Sequence, residues 1–226
     1  MNNIAKVREL INSKSTFVFD FDGVIADSFD VKKRAFSKLY LKYGEEIANK
    51  VTEFHEKGSN GGMCRVKKFN FFHQNFLDTQ ISLHQIDELC SEFSSLVVQD
   101  VINCPEILGA TQFLENYCIN QSKVSLINSA TPHDEMHQIV AERGLSKFFL
   151  DIYGSPKTKV ENFNNLFLKY NIKPKETVFF GDLTADFNAA NEVGCDFIGI
   201  GDRIDFKYIA SHSHNQFAFL DNFDNI

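Results

Sequence analysis

From Val124 onward the chain alternates short apolar, β-rich runs with helix-length segments, and this rhythm restricts the fold more than any other feature. The runs "VSLIN", "FFLDIYG", "TVFFGD" and "CDFIGI" are separated by helical patterns near 133–143, 157–170 and 184–194. Strands alternating with helices of this length predict a parallel sheet with helices on both faces, an α/β, Rossmann-like arrangement. An earlier run, "STFVFDFDGV" at 15–24, has the composition of a further buried strand ending at a glycine.

The segment between that strand and "VSLIN" breaks the alternation. Val31, Ala35, Phe36, Leu39 and Tyr40 share one helical face, and further helical stretches are expected near 45–57, 63–77 and 82–99. The polar, glycine-rich "EKGSNGGMCR" between the first two of these reads as a loop. The expected organisation is a core of residues 1–25 and 104–226 with an all-helical cap domain, 26–103, inserted after the first strand. A helix is expected from Pro105, and "NQFAFLDNF" reads as a last edge strand and helix. Phe69, Phe71, Phe72 and Phe76 at helical spacing are expected to pack inside the cap, and the histidines to be mostly solvated.

Composition narrows the partners. At 226 residues with 43% hydrophobic residues, the chain can bury a full core and one small insertion. A formal charge of -7 gives no footprint for nucleic acid, and no basic stripe or apolar h-region points to a membrane or a signal peptide. A cytoplasmic protein, monomer or homodimer, is expected. Five scattered cysteines without Cys-x-x-Cys spacing are expected to be reduced thiols.

In open parallel sheets, ligands bind outside the carboxyl ends of the strands. At those ends stand Asp20 and Asp22, then Ser129, then Asp182 with Asp186 one helical turn on; Lys157 and Lys159 lie where a helix starts. The two-residue period of a strand would put Asp20 and Asp22 on one side. Crowded carboxylates raise one another's pKa unless a divalent cation holds them. A hard cation with oxygen ligands, most simply Mg²⁺, fits, and it favours a phosphate as a further ligand. One carboxylate can attack phosphorus, a second can protonate the leaving oxygen, and a hydroxyl, backbone N–H groups and an amine can hold the equatorial oxygens.

"DFDGV", Ser129 after an apolar strand, a lysine in "GSPKTKVEN", and "GDLTAD" together resemble the four ordered motifs of the haloacid dehalogenase superfamily of Mg²⁺-dependent phosphohydrolases, in its phosphoglycolate phosphatase and β-phosphoglucomutase-like branch with a helical cap. The resemblance spans the whole chain. It implies Asp20 as nucleophile, Asp22 as general acid/base, Ser129 and Ala130 on the phosphoryl group, and Lys159 offsetting its charge. It places Asp20, the backbone carbonyl of Asp22, Asp182 and Asp186 around Mg²⁺. Lys157 competes with Lys159 for the lysine role, and Thr131 with Ser129 for the hydroxyl. Arg65 and Gly62, in the glycine loop and the helix start after it, are candidates for substrate selection. Asp22 favours a phosphate ester over a carbon–halogen bond, because an alkoxide leaves with a proton and a halide does not. The expected partner is a small phosphorylated metabolite, a sugar phosphate or a phosphoglycolate-like compound. A phosphomutase of the same fold, or a phospho-accepting signalling or binding domain without turnover, are the alternatives.

Overall fold

A computed structural model describes residues 4–56, 63–224 and 226. Six strands form one sheet: β1 (Thr16–Phe19), β2 (Val124–Pro132), β3 (Asp151–Ser155), β4 (Thr177–Gly181), β5 (Asp196–Ile200) and β6 (Phe217–Leu220), in the order β3-β2-β1-β4-β5-β6, with every pairing parallel. The central strand β1 is buried along its length, as both-face burial requires. Phe19 is level with Ile127 of β2 and with Phe180 of β4, so the residues that follow each of them leave the sheet at one edge.

Both faces are covered. One carries α1 (Ile4–Ser13), α6 (Ala110–Leu114) and α7 (His133–Glu142), which bury Val7, Leu10, Phe113, Met136 and Ile139 against Phe17, Phe19 and Phe180. Phe19 and Phe180 stack with centroids 4.6 Å apart across the β1–β4 pair. The other carries α8 (Lys159–Tyr170), α9 (Thr184–Val193) and α10 (Phe206–His212), which bury Phe163, Leu166, Phe187 and Ile209 against Val18, Leu126 and Phe179.

Between β1 and β2 the chain forms α2 (Phe29–Tyr40), α3 (Glu45–Glu56), α4 (Arg65–Phe76) and α5 (Leu83–Asn103). Their apolar faces meet in an aromatic cluster of Phe36, Tyr40, Phe54, Phe69, Phe72 and Phe93, in which Phe36 and Phe93 stand 4.1 Å apart. Phe69 and Phe72 are thus packing residues, as their spacing indicates. Ser82 and Gln85 form a reciprocal cap at the start of α5.

Several boundaries differ from the sequence expectation. No helix starts at Pro105: its carbonyl accepts from Asp27 N–H, Ala26 bridges to Glu106, and α6 begins only after Gly109, whose φ is +80°. The chain crosses back from the insertion in an extended form before it can coil. The C-terminal run forms the edge strand β6, and no helix follows it among the described residues. Helices α1 and α10 add to the elements that periodicity predicts. His55 and His73 are buried rather than solvated. The five cysteines are free, with Cys118 and Cys195 buried. No described helix is long and apolar enough to cross a membrane.

Candidate active site

The regular part of β1 ends at Phe19, although Asp20 N–H still donates to Phe180 C=O at 2.8 Å. Asp20 and Asp22 therefore stand on the turn after the strand, not on one strand face. That turn closes on Gly23, at φ +78°; a Cβ there would lie 2.3 Å from both the Asp182 carboxylate and the Arg203 guanidinium, so only glycine fits. The turn sends the two acids to different partners.

Asp20 accepts from Phe21 N–H at 2.7 Å and pairs with Lys159 Nζ at 2.8 Å. Lys159 also pairs with Asp186. Its placement follows from local sequence: Thr158 and Glu161 cap the start of α8, and Asn128 Nδ2 donates to the Lys159 carbonyl at 2.9 Å, fixing the helix start beside β2. Lys157 is exposed in the loop before the cap. Asp186 Oδ2 accepts from the N–H groups of Asp182 and Leu183, at 3.2 and 3.1 Å, which locks the first turn of α9 against the end of β4. A Cβ on Gly181 would stand 2.4 Å from Asp186 Cβ, so glycine permits this approach.

Asp20, Asp182 and Asp186 are buried, and each offers an oxygen within 4.8 Å of the others. Burial, with the nearby Asp186 and Asp22 charges, pushes Asp20 up to about 6 against the pull of Lys159. Burial, with Asp186 and Asp20, holds Asp182 well above the usual carboxylate range, although Arg203 Nη2 lies 2.8 Å from its Oδ2. The other oxygen of Asp182, Oδ1, is buried without a hydrogen-bond partner. An orphaned acceptor within a group of repelling carboxylates is what a hard dication would satisfy, and this donor set fits one.

The Asp22 side chain has a separate set of partners. Ser28 Oγ donates to it at 2.6 Å, Thr131 Oγ1 donates at 3.0 Å, and Lys32 Nζ pairs with it while donating to Thr131 at 2.8 Å. Burial alone would raise its pKa, but Lys32 and these hydrogen bonds win and hold it below the ordinary value. Ser129 is buried beside them, its Oγ accepting from Thr131 N–H at 3.2 Å. Ser129 and Thr131, rivals on sequence alone, thus occupy different positions: Thr131 attends Asp22.

Asp20, Asp22, Ser129, Ala130, Thr131 and Asp182 form one wall of a cavity of about 60 Å³, and Phe29, Lys32, Phe36, His55, Arg65 and Lys68 of the insertion are among those that form the other. Arg65 reaches the cavity, but its guanidinium is gripped by both oxygens of Glu135 on α7, at 2.9 and 2.6 Å, and by Ser94 Oγ at 2.6 Å, and stacks on Phe93. Gly62 lies outside the described residues. Lys68, which follows Arg65 in the same helix start, lines the cavity too, whereas Lys32 and Arg203 are cations that no motif marks. Lys32 carried one legible sign, its spacing of one helical turn from Ser28; Arg203 stacks on Phe29 from a loop that had none.

A carboxylate cluster at the carboxyl edge of a doubly wound parallel sheet, facing a helical insertion, defines an α/β protein with its ligand site at the strand ends. The family is given by sequence: the haloacid dehalogenase-like hydrolase model matches residues 17–200, and the chain belongs to that family. β-Phosphoglucomutase from Clostridium difficile shares the fold with a TM-score of 0.74 at 20% identity, over 94% of this chain and 93% of that one. A predicted phosphoglycolate phosphatase from Haemophilus somnus gives 0.69 at 17% identity, over 93% and 95%. CbbY from Rhodobacter sphaeroides, in complex with xylulose-(1,5)-bisphosphate, gives 0.71 at 14%, over 94% and 96%. No curated protein matches the chain by sequence.

Proposed function

We propose that the chain is a Mg²⁺-dependent phosphatase acting on a small phosphomonoester through an aspartyl-phosphate intermediate. The observation that carries this is the separation of two neighbouring carboxylates into two environments: Asp20 beside Lys159 and two further acids, Asp22 among three hydrogen-bond donors. One fold position thus supplies a nucleophile and a proton carrier. Family membership and phosphatase-named structural neighbours support the same reading.

Asp20, Asp182, Asp186 and the Asp22 backbone carbonyl would hold Mg²⁺, which when bound supplies charge for the phosphoryl oxygens and the carboxylates. Asp20 attacks phosphorus and forms the acyl phosphate as the ester oxygen leaves. Asp22, which Lys32 holds ionised in the substrate-free protein, must take up a proton from solvent as substrate binds; it gives that proton to the leaving oxygen, then takes one from the water that attacks the acyl phosphate, which returns Asp20 and releases inorganic phosphate. Ser129 and the Ala130 N–H bind equatorial oxygens, and Lys159 balances their charge. The inserted helices act as the cap that keeps bulk water out. The partner is a small phosphorylated metabolite.

The test is phosphate release from a panel of phosphomonoesters with Mg²⁺, with EDTA, and with Asp20→Asn. Release is expected only from the unmodified enzyme with metal. Turnover that survives both chelation and the substitution would refute the reading.

A further inference from the structure

Two carboxamides that the chemistry above does not use are sealed inside the core beside Lys159. Asn128, the β2 residue immediately before Ser129, is 0% exposed, and Asn162, in the first turn of α8, is 1% exposed. Asn162 Nδ2 donates to Asn128 Oδ1 at 3.1 Å and to the Gly154 carbonyl of β3 at 3.3 Å, and Asn128 Nδ2 donates to the Lys159 carbonyl at 2.9 Å. We propose that Asn162, acting through Asn128, is a positioning residue that holds Lys159 at the reacting phosphoryl group; this rests on the phosphatase reading and extends it to side chains away from the reacting atoms.

The directions of these bonds are fixed. A backbone carbonyl only accepts, so Gly154 and Lys159 at the two ends require an amide NH2 from Asn162 and from Asn128, and Asn128 Oδ1 is left to take the second bond of Asn162. Neither a carboxylate nor an apolar side chain completes that chain. Its location is also specific. The hydrogen bonds of the Thr158–Glu161 cap stay within the first turn of α8, so the cap fixes where the helix begins along the chain. The amide pair ties the same turn to β2 and β3. Because Asn128 precedes Ser129 and holds Lys159, it sets the spacing between the hydroxyl and the amine that address the phosphoryl oxygens. The amine needs that support. Lys159 Nζ has to meet carboxylates on two other elements, Asp20 after β1 and Asp186 on α9, with the Phe179 ring of β4 5.4 Å away. A long side chain keeps its tip in register with them only while its root is held, and a shift of about 1 Å can cost a hundredfold in rate. An apolar pair would fill the same volume without burying two amides, so the bonds, not the packing, account for asparagine at both positions.

Phosphate release with Mg²⁺ from one small phosphomonoester, measured for the unmodified protein, Asn162→Leu, Lys159→Met and the double variant, tests the proposal. Asn162→Leu is expected to lower kcat about tenfold or more with KM little changed, and to cost Lys159→Met nothing further. Equal losses in both backgrounds would mean that Asn162 supports the fold alone, and would overturn the proposal. Asn162→Ser serves if the leucine variant does not fold. Urea titrations without metal give a second reading that needs no turnover. Asn162 bonds to Asn128 and Gly154, not to Asp20, yet Asn162→Leu should shift the folding equilibrium about threefold less in Asp20→Asn than in the unmodified protein, because the pair of Lys159 with Asp20 is already gone. Additive losses there would overturn the positioning role as well. A protein that releases no phosphate from any ester but keeps this coupling would refute the phosphatase reading and leave the positioning of Lys159 standing.

Discussion

The strand side of the cavity and its helical side solve the problem of buried charge in opposite ways. On the strand side the charges are mostly acids, set on turns and helix starts a few residues long, and basic side chains hold most of them: Lys159 on Asp20 and Asp186, Arg203 on Asp182, Lys32 on Asp22. On the helical side the charges are bases among rings, with Lys68 over Phe36 and Arg65 over Phe93. The first arrangement concentrates negative charge where a metal and a reacting phosphoryl group would compensate it. The second sets bases in an apolar wall, with Arg65 held by Glu135, at a distance from the carboxylate cluster. Changes on the strand side should therefore appear in turnover, and changes on the helical side in binding and stability.

Asp20→Asn should show the largest effect. Loss of the nucleophile is expected to lower kcat on the order of a thousandfold or more. The same substitution removes a carboxylate that burial keeps at about 6, so the metal-free protein should melt at a higher temperature than the unmodified one. A variant that lost activity because it unfolded would instead melt lower, and the division of labour between the two walls would not be supported by it.

Arg65 tests whether the helical wall selects substrate or ties the insertion to the core. The Arg65–Glu135 pair joins α4 to α7 across the cavity edge, with the two side chains 7% and 19% exposed. Removing one partner of a largely buried ion pair leaves the other uncompensated, a loss of about 3 kcal/mol. Arg65→Met should therefore destabilise the protein in urea titrations by that order. Adding Glu135→Met should recover part of the loss, with a coupling of about 1–3 kcal/mol in the double-mutant cycle. A raised KM with unchanged stability in Arg65→Met would show that this guanidinium leaves Glu135 to bind substrate.

The same contrast explains what could be read from the sequence. The sheet, and the acids at its edge, follow from short-range patterns: an apolar run, a turn, a helix start. Lys159 is legible through the family's motif, which leaves Lys157 as a rival until the Thr158–Glu161 cap is seen to start the helix at Lys159, and Asp186 is legible because it opens the helix after β4. The expected common face of Asp20 and Asp22 rested on strand period, but the strand stops one residue too early, and the turn at Gly23 divides them. The helical wall is assembled from α2, α3, α4 and α5 by packing between segments far apart in the chain. Nothing local marks His55 as the partner of Lys68, 13 residues on, or Arg65 as the partner of Glu135, 70 residues on. A basic side chain at a helix start reads as solvated until the surface that covers it is known.

His55 provides the smallest effect and a direct measure of how closed the helical wall is. In the unfolded chain an imidazole takes up its proton near pH 6.5. In the folded protein, burial opposes that proton first, then Lys68, Lys32 and Lys33, against a weaker pull from Asp22, and the pKa falls to about 2. Between those two values the unfolded chain binds more protons than the folded one, so stability falls as pH falls through this window. The contribution is nearly absent above pH 7 and approaches about 1 kcal/mol per pH unit below 6.5. Urea titrations at pH 7.5, 6.5 and 5.5 should show this slope in the unmodified protein and a shallower one in His55→Gln, which keeps an acceptor for Lys68 but no titrating ring. Lys68 itself titrates in a separate window, between about 7 and its ordinary value near 10.5, where stability rises with pH. Equal slopes in the two proteins across the acidic range would mean that the imidazole is hydrated in solution and that the helical wall opens far enough to protonate it.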